Sequence, residues 1–119
     1  MHDELGRRMY GQRIAIRGLL DVDGWRAFLL DCIKSVGMTP SGEAAVWSYP
    51  DADGKGGQGT TICQPMVESY IVIDVWDSFD GAYLDIASCR RFNVADLVAP
   101  MQRYGLGMHS AGAQEALSL

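Results

Sequence analysis

The chain has 119 residues, enough for one domain with a real core and too few for two, so residues 1–119 are expected to form a single unit. Apolar residues make up 48% and charged residues 21%, and ten Lys+Arg against fifteen Asp+Glu leave a net charge of −5. That balance offers no basic field for a phosphate backbone, so nucleic acid is not an expected partner. Cys32, Cys63 and Cys89 are unevenly spaced and form no Cys-x-x-Cys pair, which predicts reduced thiols, not a disulfide frame or a zinc site. No metal ligand set is expected. The acidic start Met1-His2-Asp3-Glu4 carries no apolar segment and no run approaches the ~20 residues of a membrane helix, so a cytoplasmic protein without membrane contact is expected.

In chain order, residues 8–17 alternate around Ile14 and Ile16 and predict a strand with one solvated face. Asp21 and Asp23 are cap candidates for an amphipathic helix carrying Trp25, Phe28, Leu29, Cys32, Ile33 and Val36 at three- to four-residue spacing, with Gly37 able to end it. Residues 43–49 predict a second strand, and 50–59 a flexible, glycine-rich loop. Residues 60–66, 70–76 and 83–88 are β-branched and aromatic enough for three further strands. Asn93 is placed to cap a short helix through Tyr104 in which Pro100 marks a kink or an end, and the residues from His109 onward are small and polar enough to fray. The order β-α-β-β-β-β-α predicts an α+β fold, a two-layer sandwich with helices covering one face of a largely antiparallel sheet.

The chemistry-bearing residues cluster around the hairpin of the last two of those strands. A five-residue loop from Asp77 to Gly81 would pair Trp76 with Ala82 and, counted back along both strands, set Ser69 opposite Cys89, provided that no bulge shifts the register. The sequence Val67-Glu68-Ser69-Tyr70, with Trp76 seven residues after the serine, Asp85, and Cys89 twenty after it, resembles the bacterial S-adenosylmethionine decarboxylases. The match is good over residues 59–89 and looser over 6–104.

In that family a Glu-Ser bond breaks itself and leaves a pyruvoyl group on the serine. The resemblance therefore implies that Ser69 is the precursor, Glu68 supplies the carbonyl it attacks, Cys89 is the catalytic acid, and Thr61 stands where a second serine assists processing, two residues after a matching Gly59. The resulting ketone takes up a substrate amine and serves as electron sink when carbon dioxide leaves. The family's histidine base, five residues after the serine, is Asp74 here, and the histidine directly after the serine is Tyr70. A carboxylate acts as base when burial raises its pKa, and processing is expected to be slow or absent with this replacement. Trp76 matches a tryptophan beside the substrate, and the family's ribose-binding glutamate is Ser78, flanked by Asp77 and Asp80. Tyr70, Trp76, Asp77, Ser78 and Asp80 are thus the candidate substrate-binding residues.

The implied activity is a lyase acting on S-adenosylmethionine, linked to spermidine synthesis, with a pyruvoyl group from Ser69 if it is processed and a homo-oligomer, dimer or larger, as the assembly. Ornithine or arginine are alternative substrates. A rival is an unprocessed homologue in which the substrate's own carboxylate displaces methylthioadenosine and leaves homoserine lactone, without a ketone; Asp74 and Tyr70 would then be site residues. Another is a catalytically silent binding paralogue.

Overall fold

The structure is a computed structural model, and the description covers residues 9–51, 54, 57–111 and 115–117. Among the described residues the framework is a seven-stranded sheet ordered β2-β3-β4-β5-β1-β6, with β7 also on β1, and each of these pairings is antiparallel. The strands are β1 (Met9–Arg17), β2 (Ala45–Tyr49), β3 (Gly59–Met66), β4 (Ser69–Trp76), β5 (Gly81–Ser88), β6 (Gly107–Ala111) and β7 (Glu115–Leu117). The helices are α1 (Val22–Ser35) and α2 (Val98–Arg103).

Period-two alternation divides the sheet into two faces. Ile14, Ile16, Ile62, Ile71, Ile73, Leu84 and Ile86 are buried on one face, where they join Trp25, Phe28, Leu29, Cys32 and Ile33 of α1 in one core. Each such side chain stabilises the fold by about 1.5–3 kcal/mol through apolar burial. The residues between them, including Arg13, Thr61, Asp74, Tyr83 and Asp85, belong to the other face and are exposed or half-buried. This is the expected α+β sandwich.

Helix α1 begins where the Asp21 carboxylate accepts the Gly24 N–H at 2.7 Å. It ends at Gly37, whose φ of 76° lets Gly37 and Met38 turn back to the carbonyls of Lys34 and Ile33. Asp31 ties the helices together, accepting from Arg103 Nη1 at 2.9 Å and from the Tyr104 hydroxyl at 3.0 Å. Burial, then the bond to Asp31, raises the pKa of Tyr104. Phe28 sits edge-on between Trp25 and Tyr104 at 5.8 and 5.7 Å.

Three expectations are corrected. Residues from His109 onward do not simply fray: β6 pairs with Ile14–Arg17 and β7 with Met9–Gly11, because β1 would otherwise present an unpaired edge. Residues 94–104 are not one helix. A 3-10 turn (Val94–Leu97) capped by the Asn93 side chain leads into α2, and Pro100 lies in the first turn of α2, where its missing N–H costs no helical bond. The hairpin after Trp76 is shorter than the expected loop, with Trp76 paired to Gly81. Residues 1–8, including Arg8 at the expected start of the first strand, and residues 52, 53, 55 and 56 of the glycine-rich loop lie outside the described residues.

Candidate functional site

The Glu68–Ser69 peptide lies in the tight turn between β3 and β4, where Met66 pairs directly with Ser69. Ser69 has a φ of 151°, a region that a residue with a Cβ occupies at a cost of ~1–3 kcal/mol and that persists only where neighbours impose it. Those neighbours are visible. The Glu68 carbonyl accepts the Cys89 N–H at 3.0 Å and the Val67 N–H donates to the Thr39 carbonyl at 2.9 Å. The Glu68 carboxylate, only 10% exposed, accepts the Thr39 N–H at 3.1 Å and lies 3.8 Å from Arg90 Nη1.

The register differs from the expectation by one residue. A 3-10 turn over Asp77–Phe79, closed by Asp80 at φ 53°, makes a four-residue loop, so Ser69 opposes Ser88 and not Cys89. Cys89 follows the strand, is exposed, and reaches the turn through its backbone N–H. A one-residue slip exchanges faces, and the direct side-chain opposition of Ser69 and Cys89 is overturned on that ground. The fully buried residue in its place is Ser88, whose hydroxyl donates to Met38 Sδ at 3.4 Å and accepts the Arg90 N–H at 2.9 Å. Thr39, Ser88 and Arg90 are the neighbours that the sequence reading missed; only the loop length, read as four, would have pointed to Ser88.

Thr61 and Asp74 are brought together as directly opposed residues, the Thr61 hydroxyl donating to Asp74 Oδ1 at 2.6 Å. They are not brought to Ser69. Asp74 lies five residues further along β4, a separation of about 17 Å at ~3.4 Å per strand residue. One chain therefore carries two clusters: Glu68, Ser69 and Cys89 at one end of β4, and Thr61, Asp74, Trp76 and the 77–80 turn toward the other. Tyr70, next to the serine, is exposed and belongs with the first.

Beside the second cluster lies a cavity of about 500 Å³ whose wall includes Trp76, Phe79, Asp80, Tyr83, Arg17 and His109. The volume falls within the ~300–1,000 Å³ of small-molecule sites. Trp76 and Phe79 meet edge-on at 6.2 Å, and Arg17 Nη2 lies 2.9 Å from His109 Nδ1. A smaller depression of about 250 Å³, lined by Tyr49, Thr61 and Asp74, adjoins the same tryptophan. Asp80 lines the larger cavity, whereas Asp77 and Ser78 are exposed and outside both sets of lining residues. His109 and Arg17 were invisible as site residues in the sequence, because only the β5-β1-β6 order carries them to Trp76.

Asp85 receives a bidentate contact from Arg13, at 2.9 and 3.1 Å, and Arg13 also lies 5.0 Å from the centre of the Tyr83 ring. The hydrogen bond to Asp85, then its charge, raises the pKa of Arg13. Burial pushes the thiols of Cys32 and Cys63 up, far more for Cys32, which suits packing and not nucleophilic attack. Among the described residues no group of three His, Cys, Asp or Glu is placed to hold a metal ion, and no helix is long and apolar enough to cross a membrane.

The arrangement can polarise one strained peptide carbonyl and, separately, accept an aromatic ligand between cationic and acidic side chains. Residues 12–115 match the profile of the S-adenosylmethionine decarboxylase family. Among solved structures, the chain is similar to the adenosylmethionine decarboxylase of Aquifex aeolicus VF5, with 15% sequence identity over 93% of this chain and 90% of that one and a TM-score of 0.56. Among curated proteins none matches the sequence.

Proposed function

The chain belongs to the S-adenosylmethionine decarboxylase family, and from that premise we propose that it is a lyase acting on S-adenosylmethionine, with the Glu68–Ser69 peptide as its processing bond. One observation carries the reading: the carbonyl of that peptide is held by the Cys89 N–H at 3.0 Å while Ser69 is strained at φ 151°. Attack of the Ser69 hydroxyl on the Glu68 carbonyl carbon places negative charge on the oxygen that Cys89 N–H already faces, so the donor strengthens its hold as the charge develops. Breaking the C–N bond leaves an ester on the Ser69 oxygen and a free amine. Removal of the α-proton expels the Glu68 carboxylate, and hydrolysis with loss of ammonia leaves a ketone at position 69. A pyruvoyl group there would supply the electron sink for decarboxylation.

Substrate is assigned to the cavity beside Trp76. Its aromatic side chains suit an adenine, and Asp80 replaces the family's glutamate as acidic partner for ribose or cation. A homo-oligomer fits this reading, because Asp74 and the cavity at Trp76 lie about 17 and about 24 Å along the strand from Ser69, so both can serve that serine only from a second copy. The product, decarboxylated S-adenosylmethionine, is the aminopropyl donor for spermidine.

The same separation favours a second reading. Without a second copy to supply Asp74, the chain stays intact and S-adenosylmethionine in the cavity is split by its own carboxylate into methylthioadenosine and homoserine lactone. Asp74, which lines the adjoining depression, would act there as an orienting group and not in processing, whereas Tyr70 lies about 20 Å along β4 from Trp76 and is too far to take that part. Intact-mass measurement of fresh protein, with product analysis after incubation with S-adenosylmethionine, tests both. Fragments of the first 68 and the remaining 51 residues, the latter lacking a free amino end, with release of carbon dioxide, support the decarboxylase. An intact chain yielding methylthioadenosine supports the second reading. No product from either form overturns both.

A further inference from the structure

The Trp76 cavity contains a hydrogen-bonded arginine–histidine pair that none of the processing chemistry uses. Arg17 comes from β1 and His109 from β6, and Arg17 Nη2 lies 2.9 Å from His109 Nδ1. Arginine has only donors, so the imidazole nitrogen must accept, a role open to neutral histidine alone. His109 thus fixes the guanidinium without neutralising it. Among the described residues Arg17 forms no ion pair with a carboxylate, whereas Arg13, Arg90 and Arg103 face Asp85, Glu68 and Asp31. Both cross-strand partners of Arg17 are glycines, Gly81 and Gly107, so no flanking side chain covers it.

We propose that Arg17, positioned by His109, anchors the carboxylate of the amino-acid tail of an adenosyl ligand whose base lies against Trp76 and Phe79. This rests on the assignment of S-adenosylmethionine to the cavity and adds to it the residue that recognises the tail. A guanidinium with one donor engaged by His109 retains four, enough for a bidentate hold on a carboxylate. Asp80, on the same wall, is the complementary group for the tail's ammonium. The arrangement distinguishes a ligand with a carboxylate from one that has lost it, so it favours substrate over decarboxylated product.

The test is isothermal titration of the full chain with sinefungin, which carries the amino-acid tail, with methylthioadenosine, which has none, and with decarboxylated S-adenosylmethionine. Wild-type protein binds sinefungin at least tenfold more tightly than decarboxylated S-adenosylmethionine. Arg17→Met weakens sinefungin at least tenfold and leaves methylthioadenosine within twofold. His109→Ala lowers the sinefungin to methylthioadenosine ratio, and His109→Gln, whose amide oxygen still accepts from a guanidinium, restores it. Equal loss of both ligands in Arg17→Met, or an unchanged ratio, overturns the anchor while leaving the cavity assignment intact. Wild-type protein that binds none of the three overturns the cavity assignment and the anchor together. Should Arg17→Met fail to fold, the wild-type ratio and the histidine pair decide, and a wild-type ratio near one overturns the anchor.

Discussion

Gly81→Ala is a sharp test of how β1 and β5 are joined beside the cavity. A Cβ built at Gly81 lies 2.5 Å from the backbone oxygen of Ile16, and the strands must part by about 0.9 Å before that contact reaches the 3.4 Å of ordinary packing. The obstacle is backbone, so no side chain can rotate away. Overpacking of this kind costs ~1–3 kcal/mol, offset by ~0.4–1 kcal/mol because alanine has fewer unfolded conformations than glycine. A net loss of about 1–2 kcal/mol in a domain of this length lowers Tm by about 4–8 °C. Gly107→Ala is the matched control: Gly107 also pairs with Arg17, has no positive φ, and nothing lies within 4 Å of its added Cβ. Calorimetry should show Gly107→Ala within ~0.5 kcal/mol of wild type. A Gly81→Ala Tm within 1 °C of wild type, or equal losses in the two variants, would refute the close approach of the two strands.

Three further outcomes are expected. In a double-mutant cycle by urea unfolding, Thr61→Val and Asp74→Ala should couple by ~0.5–1.5 kcal/mol through their hydrogen bond, and additive effects would mean that the bond stabilises nothing. A thiol-specific dye should modify exposed Cys89 first in native protein, half-buried Cys63 more slowly, and Cys32 only on unfolding, an order read by peptide mass mapping. Stability should fall above pH 9: burial raises the Cys32 thiol above its ordinary value of 9.0, so the unfolded chain releases that proton first, and each further pH unit costs up to ~1.4 kcal/mol. Urea midpoints at pH 8 and 10 check this, and Cys32→Ala should lessen the dependence.

The core and most of the fold were legible because they rest on local periodicity. Trp25, Phe28, Leu29, Cys32 and Ile33 all lie buried on α1 as their spacing predicts, and β3, β4 and β5 occupy nearly the expected spans. What failed depended on a single residue or on distant pairing. The choice between a four- and a five-residue loop decided whether Ser69 faced Ser88 or Cys89, and composition alone does not settle it when Asp80 adopts a left-handed conformation that glycine would have announced. Residues 107–111 and 115–117 carry little strand propensity, and the open edge of β1 recruits them. Thr61 and Asp74 were grouped with Ser69 by resemblance, and strand geometry shows that a shared hairpin does not make a shared site within one chain.

The place of β1 between β5 and β6 gives the molecule a folding chronology. The hairpins β3-β4 and β4-β5 close between sequence neighbours, and the bond from Cys89 N–H to the Glu68 carbonyl needs nothing beyond residue 89. The Arg13–Asp85 contact spans 72 residues and Arg17–His109 spans 92. Contacts of such separation form late, since chain entropy is lost before they contribute. During folding the Glu68–Ser69 turn can therefore be in place before Arg17 and His109 meet, so the two ends of β4 acquire their surroundings at different times.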